Sequence, residues 1–294
     1  MQQTTVVPAA TDRSIDALAA GWLAGYASPR TRSAYATSLR KWFRFCHAND
    51  LDPLQARRAA CDVWLRQLEA EGAAAATRAL RITAVRSWYA WLVDEQYLTA
   101  NPAIKVRAPK REHGIQPALS RVQAGQLLTH AATIGGNRYA LVCLGFVNGL
   151  RVSEICDADV DDLGHDRYHT TLTVHGKGQK VEAVPLPPIT AQAVAAAVAG
   201  REVGPLLVTQ HGTRLTRGRA KTWLAAMCQQ AGVPVVPPHG LRRTAIQLLL
   251  AEGIPLRQVQ MFARHASSTT TAGYDNRIRS LDEHAAYSMM RVVA

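Results

Sequence analysis

The sequence predicts a mainly helical protein of two domains, with a small β-sheet in the second domain. Its 294 residues correspond to about two domains, at ~150 residues for each. Apolar residues recur at helical spacing in much of the chain, whereas two short runs on either side of residues 176–178 alternate apolar with polar side chains. A basic stretch with neither pattern separates the two parts.

The first domain is predicted to span residues 13–105 and to be all-helical, with residues 1–12 disordered. Ser28 and Pro29 favour a helix start, because a serine side chain caps free backbone N–H groups and proline suits the first helical position. We interpret the aromatic residues of this domain as core rather than as a platform for stacking nucleic-acid bases. The predicted apolar stripes of three helices are Tyr35, Leu39, Trp42, Phe43 and Cys46, then Cys61, Trp64, Leu65 and Leu68, then Leu80, Ala84, Trp88, Trp91 and Leu92.

A basic interdomain linker is predicted at residues 106–117. The first domain ends near Asn101, because the residue before a proline is disfavoured from the helical conformation. Lys105–Gln116 then carries four basic residues without apolar periodicity. Ser120 and Gln123 form a capping-box pattern that begins the next helix, so the second domain is predicted to span residues 118–294.

The second domain is predicted to be α+β. Thr171–His175 and Val181–Val184 are alternating runs on either side of a glycine-rich turn, which predicts a β-hairpin. A largely apolar helix is predicted at Arg138–Leu150. Further helices are predicted near Thr190–Ala199, Gly218–Ala231, Leu241–Glu252, Leu256–Ala263 and Leu281–Val293.

The charge of the chain indicates a polyanionic partner. The sequence has 34 Lys and Arg against 22 Asp and Glu, a net charge of +12. Up to Gln116 there are 16 basic and 10 acidic residues, and beyond it 18 and 12. A basic tail would concentrate its charge in one block, whereas this even division predicts a clamp that contacts a polyanion from two sides. A solvated basic surface is the alternative explanation.

A cytoplasmic protein without a membrane anchor is predicted. The apolar stretch at Ala191–Ala199 is far shorter than the ~20 residues of a spanning helix, and the N-terminus lacks the basic start and apolar core of a secretory signal. The five cysteines form no CxxC pair and lie among apolar neighbours, as expected for buried thiols in a reducing compartment.

The second domain contains the side-chain types that phosphoryl transfer without a metal requires. His165 and His169 are four residues apart without a third ligand, so a loop or strand pair is predicted there rather than a zinc site. Transfer then needs guanidinium groups for the phosphate oxygens, a nucleophile, and an acid for the leaving alkoxide. The candidates, in chain order, are Arg151, Glu154, Lys177, His239, Arg242, His265 and Tyr274.

In their order and spacing, these residues resemble the tyrosine recombinase family, which includes phage integrases and Xer-type recombinases. The most specific parts are GLRVSE at 149–154, HGLR at 239–242 and the interval from His265 to Tyr274. The similarity extends from about Ser28 to the C-terminus. It implies a helical core-DNA-binding (SAM-like) domain and an α+β catalytic domain that clamp double-stranded DNA and recombine it at a specific site.

The resemblance also implies how the phosphate is held. Arg151 and Arg242 would clamp the scissile phosphate, because guanidinium groups bind phosphate in a bidentate manner. His265 would donate a hydrogen bond to the same phosphate, and Glu154 would orient Arg151. No metal, ATP or other cofactor is expected.

The remaining roles concern the nucleophile and the protons. Tyr274 would attack the phosphorus to give a 3′-phosphotyrosyl link and a free 5′-hydroxyl. His239 is the candidate base for the phenol. Lys177 would protonate the leaving 5′-oxygen, and Lys180 is its near alternative.

Basic residues on the outward faces of the first domain's helices are the predicted DNA contacts. They would position the protein on phosphates without reading sequence. These residues are Arg30, Arg32, Arg40, Lys41, Arg44, Arg78, Arg81 and Arg86.

The end of the chain is predicted to form an interaction helix. Leu281, Ala285, Met289, Val292 and Val293 form an apolar stripe at helical spacing. The resemblance implies that this helix docks on a neighbouring protomer and builds a homotetramer on DNA, the free protein being a monomer or weak oligomer. Packing within its own chain is the alternative.

Two positions depart from the family's pattern. Arg264 precedes His265 where glycine is usual, so the local turn differs or adds a phosphate contact. Tyr274 is followed by Asp275 and Asn276, whereas the family commonly has a histidine two positions after the tyrosine.

Two other functions stay open at this point. A type IB topoisomerase-like or hairpin-resolving enzyme would use the same chemistry without exchanging strands between duplexes. A non-catalytic DNA-binding or regulatory protein of this fold would have no use for Tyr274 beside two arginines, which argues against that function.

Overall fold

The computed structural model describes residues 14–109, 117–176 and 181–274. The chain divides into two compact units, Met1–Gly114 and Ile115–Ala294. Several predicted features lie outside the described residues: the N-terminal disorder, Lys177, Lys180 and the C-terminal helix at Leu281–Val293.

The described part of the first unit consists of four α-helices. Ser14 and Ser28 cap the first two, and each side chain accepts a hydrogen bond from a backbone N–H three residues later. Pro29 occupies the first position of the second helix, as predicted. The helices are α1 (Ile15–Ala24), α2 (Pro29–Ala48), α3 (Arg58–Ala70) and α4 (Ala75–Asp94).

Aromatic side chains fill the core of this unit, which confirms their interpretation as core residues. Trp42, Trp64 and Trp88 are fully buried, and each removes a large apolar surface from water. The prediction for Leu80 is wrong, because this side chain is exposed and the buried face of α4 begins one position earlier, at Ala79.

In the part that the structure describes, the second unit combines α-helices with one antiparallel sheet. Ser120 and Gln123 form the predicted capping box at its first helix. Its helices are α5 (Arg121–Ile134), α6 (Gly136–Phe146), α7 (Val152–Asp157), α8 (Pro188–Val198), α9 (Arg217–Gln230), α10 (Pro238–Ala251), α11 (Leu256–Ala263) and α12 (Ser268–Ala272). Its strands are β1 (Leu163–Asp166), β2 (His169–His175) and β3 (Val181–Pro185).

The three strands pair in the order β1-β2-β3. The β2–β3 hairpin is the predicted one, and its register places Val174 opposite Glu182. For His165 and His169 the sequence predicted either a loop or a strand pair, because the four residues of β1 are too few and too polar to show alternation. His165 and His169 lie on the β1–β2 pair, so this pair of histidines belongs to adjacent strands.

Helix α6 ends earlier than predicted, and its end determines where the site begins. The prediction extended to Leu150, but the helix ends at Phe146. The chain turns at Gly149, whose φ of 57° lies in the left-handed region that glycine adopts without steric cost. This turn brings Arg151 to the N-terminal cap of α7.

Three properties of the described residues bear on the class of function. None of their helices combines the length and the apolar character needed to cross a membrane. Among these residues, no cluster of three or more His, Cys, Asp or Glu side chains is placed to hold a metal ion. The five cysteines are all buried and unpaired, as the sequence predicts.

Candidate active site

Arg151 and Glu154 form a compact unit at the start of α7. The backbone N–H of Arg151 donates to Oε2 of Glu154 at 2.8 Å, and its Nη1 donates to Oε1 at 2.6 Å. The Glu154 side chain is only 5% exposed. Burial raises the pKa of this carboxyl, but the charge of Arg264 and the hydrogen bonds and charge of Arg151 outweigh it, so the pKa lies below its ordinary value.

Gly149 allows two elements of the site to approach closely. A Cβ atom at this position would lie 2.7 Å from ring atoms of Phe262 on α11, closer than van der Waals contact permits. The Gly149 carbonyl also accepts a hydrogen bond from Arg242. A residue without a side chain therefore lets α11 pack directly over the turn that presents Arg151.

Arg242 lies on α10 and is completely buried. Its Nη1 donates to the carbonyl of Gly149 and its Nη2 to the carbonyl of Ala263. Its Nε has no hydrogen-bond partner within the described part of the chain. Burial, and then the charges of Arg151 and Arg264, lower the pKa of Arg242 to about 9, which leaves the guanidinium protonated at neutral pH.

His239 lies in the first turn of α10 and contacts the hydroxyl of Tyr274. The distance from Nε2 to the phenol oxygen is 3.2 Å, and the histidine tautomer determines which atom donates. Burial lowers the pKa of His239 below its ordinary value, and the charges of Arg242, Arg243 and Arg151 lower it further. The imidazole is therefore neutral at pH 7 and able to accept a proton.

His265 follows α11 and stacks beside Tyr274. The two ring centres are 5.8 Å apart with an interplanar angle of 15°. The Nδ1 atom of His265 lies 2.9 Å from the hydroxyl oxygen of Thr271. Burial, then the charges of Arg242 and Arg151, lower the pKa of His265 to about 4, so this ring is neutral at pH 7 as well.

Sequence reasoning did not assign a role to Arg243, which contacts the candidate nucleophile. Its guanidinium carbon lies 4.7 Å from the centre of the Tyr274 ring, a cation–π contact. Its Nε is buried and has no hydrogen-bond partner among the described residues. The Arg-Arg pair at 242–243 is visible in the sequence, but helical geometry alone does not indicate which aromatic ring the second arginine meets.

The site is strongly cationic. Arg151, Arg242, Arg243 and Arg264 meet in it, and within the described residues Glu154 is the one carboxylate that accepts hydrogen bonds from any of them. Closely spaced like charges repel each other at a cost that a bound anion relieves. The arrangement therefore favours a ligand with several negatively charged oxygens.

The basic residues predicted to contact DNA in the first unit divide into two groups. Arg78 bonds to Glu69 at 2.6 Å and its side chain is only 15% exposed, and Arg86 donates to the carbonyls of Ala103 and Val106. The prediction that these two face solvent is wrong, because their guanidinium groups satisfy polar groups of their own unit. Exposed or partly exposed are Arg30, Arg32, Arg40, Lys41 and Arg44 on α2 and Arg81 on α4.

Comparison with known proteins gives one consistent result. The model of the phage integrase family matches residues 118–279, and that of the phage integrase N-terminal SAM-like domain matches residues 22–96. The protein named tyrosine recombinase XerC from Mycobacterium sp. (strain KMS) is 34% identical over 283 residues, which cover 88% of this chain and 93% of that protein.

Solved structures share the fold at lower identity. A lambda integrase tetramer bound to a Holliday junction is 16% identical with a TM-score of 0.73, and the match covers 89% of this chain and 76% of that one. The XerH site-specific recombinase in a post-cleavage complex with a palindromic difH substrate is 20% identical with a TM-score of 0.69, covering 83% and 75%.

Proposed function

The chain belongs to the phage integrase family of tyrosine recombinases and is a site-specific DNA recombinase, and from that premise we propose how its own residues cut and rejoin a strand. The observation that carries the proposal is the contact between the Tyr274 hydroxyl and His239, at 3.2 Å, beside a cluster of arginines of which Arg242 is fully buried. A nucleophile, a neutral base and a cationic phosphate pocket then occupy one site.

The first step is attack by Tyr274 on the scissile phosphorus. His239 takes the phenol proton, the bond from the phenol oxygen to phosphorus forms, and the bond from phosphorus to the 5′-oxygen breaks. Lys177, which lies outside the described residues, donates a proton to that oxygen. The products are a 3′-phosphotyrosyl link and a free 5′-hydroxyl, and attack by a 5′-hydroxyl from another strand reverses the step and completes the exchange.

The arginines stabilise the charge that develops on the phosphate. Arg151 offers the donors that Glu154 does not use, and Arg242 has its Nε proton without a partner among the described residues. The neutral His265 ring can donate to a phosphate oxygen through Nε2 when its Nδ1 accepts the hydroxyl proton of Thr271. Donors that are fixed before the reaction stabilise a transition state more than mobile ones do.

The DNA partner is held by both units in this proposal. The exposed basic residues of α2 contact backbone phosphates and set the salt dependence of binding, each neutralised phosphate adding about −0.9 to the log–log slope. We infer a homotetramer on paired duplexes, supported by the tetrameric neighbour on a Holliday junction and by the apolar stripe at Leu281–Val293. A cytoplasmic location agrees with the five reduced, buried thiols.

A covalent-adduct experiment tests the proposed chemistry. A core site is first selected by binding from a randomised duplex library, and a nick is then placed just downstream of the cleavage position so that the released fragment diffuses away. Because the link is to the 3′-phosphate, a label at the 5′ end of the cleaved strand should remain on the protein and a 3′ label should leave. A bound site that yields no adduct would contradict the catalytic proposal.

A two-site substrate separates the alternatives within this chemistry. A supercoiled plasmid that carries two copies of the selected site should give recombinant circles. Relaxation alone, with adduct formation but without recombinant products, would favour the topoisomerase-like activity instead.

The cleavage rate is expected to stay high at pH 6.5 and to fall only at lower pH. His239 must be neutral to take the proton of Tyr274, and burial, followed by the charges of Arg242, Arg243 and Arg151, lowers its pKa below the ordinary value of 6.5. Base activity is therefore present above this lowered pKa and is lost as the pH falls through it. Single-turnover rates at subsaturating protein, which report the free enzyme, measure the effect.

The control for this pH profile is the conservative variant His239→Gln. It should lower the rate and remove the acid limb, because glutamine cannot take up a proton in this range. An acid limb at or above pH 6.5, or one that persists unchanged in His239→Gln, would show that another group is the base.

A further inference from the structure

Arg264 occupies a backbone conformation that favours glycine. It caps the end of α11 with φ 49° and ψ 45°, in the left-handed region. A side chain at such a cap costs free energy that glycine would not, because Cβ crowds the following carbonyl oxygen. Helix termination alone therefore gives no reason for an arginine here.

The Arg264 side chain is buried and directed at Glu154. It is 7% exposed, and Nη2 donates to Oε2 of Glu154 at 2.6 Å. The other carboxylate oxygen, Oε1, accepts from Nη1 of Arg151 at 2.6 Å. One buried carboxylate thus joins two guanidinium groups, one on each of its oxygens.

The two ion pairs of Glu154, with Arg151 and with Arg264, connect two parts of the site that are distant in sequence. Arg151 belongs to the turn between α6 and α7, whereas Arg264 belongs to the turn between α11 and α12. The residue after Arg264 is His265, and the same short segment leads to Tyr274. Movement of the nucleophile's segment away from the phosphate pocket would break a buried ion pair, which is strongly unfavourable.

We propose that Arg264 is a positioning residue for strand cleavage, which acts through Glu154 to orient Arg151 and to fix the α11–α12 turn that presents Tyr274. The inference rests on the proposed function. Arg264 does not need to touch the phosphate, because Nη2 bonds to Glu154 and Nη1 lies 3.3 Å from the carbonyl of Phe262.

Substitution of Arg264 should separate catalysis from folding. In Arg264→Gly the backbone strain is relieved while the ion pair is lost, so folding is expected to persist. Single-turnover cleavage is expected to fall about 10–100-fold, by analogy with residues that orient the ligands of a metal site. DNA binding should stay within about threefold of wild type. Adduct formation, filter binding and thermal unfolding are measured on the full chain, with Arg257→Gln on the exposed face of α11 as the matched control.

Two further readouts respond to positioning and not to a general loss of fold. If Arg264 acts through Glu154, the double variant of Arg264→Gln with Glu154→Gln should cleave no more slowly than Glu154→Gln alone. Arg264→Lys keeps a positive charge beside Glu154 and should restore part of the cleavage that Arg264→Gln loses, because a cation at this position can still pair with the Glu154 carboxylate.

The outcomes distinguish this inference from the proposed function. If wild type forms the adduct and Arg264→Gly cleaves equally fast, Arg264 is only a helix cap and the inference is wrong. Additive effects of the Arg264 and Glu154 substitutions would also overturn it, because they would show independent roles. Failure of wild type to form any adduct would contradict the proposed function itself.

Discussion

Replacing Tyr274 with phenylalanine is expected to abolish the covalent adduct while DNA binding persists. The change removes one oxygen, the atom that contacts His239, and with it the nucleophile. It keeps the ring that stacks beside His265 and lies under Arg243, so the buried packing is retained. Adduct formation on the nicked core site should fall at least ~10⁴-fold, the scale observed when an enzyme loses its nucleophile.

The matched control for this variant is Tyr168→Phe. Tyr168 lies in the turn between β1 and β2 and is 99% exposed, so its hydroxyl should not affect cleavage. Persistence of the adduct in Tyr274→Phe would assign the attack to another residue, and Tyr287, beyond the described residues, would be the next to test. Loss of DNA binding together with the adduct would mean that the phenol contributes to affinity and not to chemistry alone.

Short motifs pointed to the candidate residues of the site, and the resemblance in their order and spacing supplied their roles. The position of Arg151 follows from the turn at Gly149 and from the start of α7 directly after Arg151. Glu154 contacts Arg151 because the side chain of the third residue of a helix reaches back to the N-cap residue. The contact of His239 with Tyr274 was inferred from a resemblance in order and spacing. The structure agrees with that inference, because the start of α10 and the segment just after the end of α12 place His239 Nε2 and the Tyr274 hydroxyl 3.2 Å apart.

Long-range contacts are what the sequence did not reveal. Arg86 lies at an outward-looking helical position, but the segment after α4 folds back and its carbonyls at Ala103 and Val106 bind the guanidinium. Arg264 was visible only as a departure from the family's glycine. Its partner Glu154 lies 110 residues away in sequence, and helical periodicity carries no information about contacts at that separation.

The buried charge of Arg242 lowers the stability of the folded protein. Its charge is buried among other guanidinium groups, and its pKa falls from 12.5 to about 9. Arg242 is protonated in both the folded and the unfolded protein at neutral pH, and because its pKa is depressed on folding, burying this charge lowers the stability of the folded protein at pH below about 9, by an amount on the order of 5 kcal/mol. Its bonds to the carbonyls of Gly149 and Ala263 satisfy two buried acceptors, which would cost roughly 1–3 kcal/mol each if they were left unpaired. On removal of the guanidinium, the relief of the buried charge and the loss of these two bonds nearly cancel.

Replacing Arg242 with methionine is therefore expected to slow catalysis strongly with little change in stability. Methionine has a similar length and flexible packing, and it eliminates the buried charge while leaving two carbonyls unpaired. The free energy of unfolding should change by less than about 2 kcal/mol, whereas single-turnover cleavage should fall on the order of 10²–10³-fold, as expected when a donor to a developing oxyanion is lost. Denaturant unfolding and adduct formation at saturating protein measure the two effects.

The variant Arg242→Lys tests whether a positive charge at this position is enough for cleavage. Lysine keeps a positive charge and can donate to one of the two carbonyls, but it lacks the planar group that reaches Gly149, Ala263 and a phosphate oxygen at once. Cleavage should therefore fall in Arg242→Lys as well, although the charge is retained. Wild-type cleavage by either variant would show that Arg242 only joins α10 to its neighbours. A large loss of stability in Arg242→Met would mean that the two carbonyl bonds outweigh the cost of the buried charge, and the guanidinium would then be as much a structural group as a catalytic one.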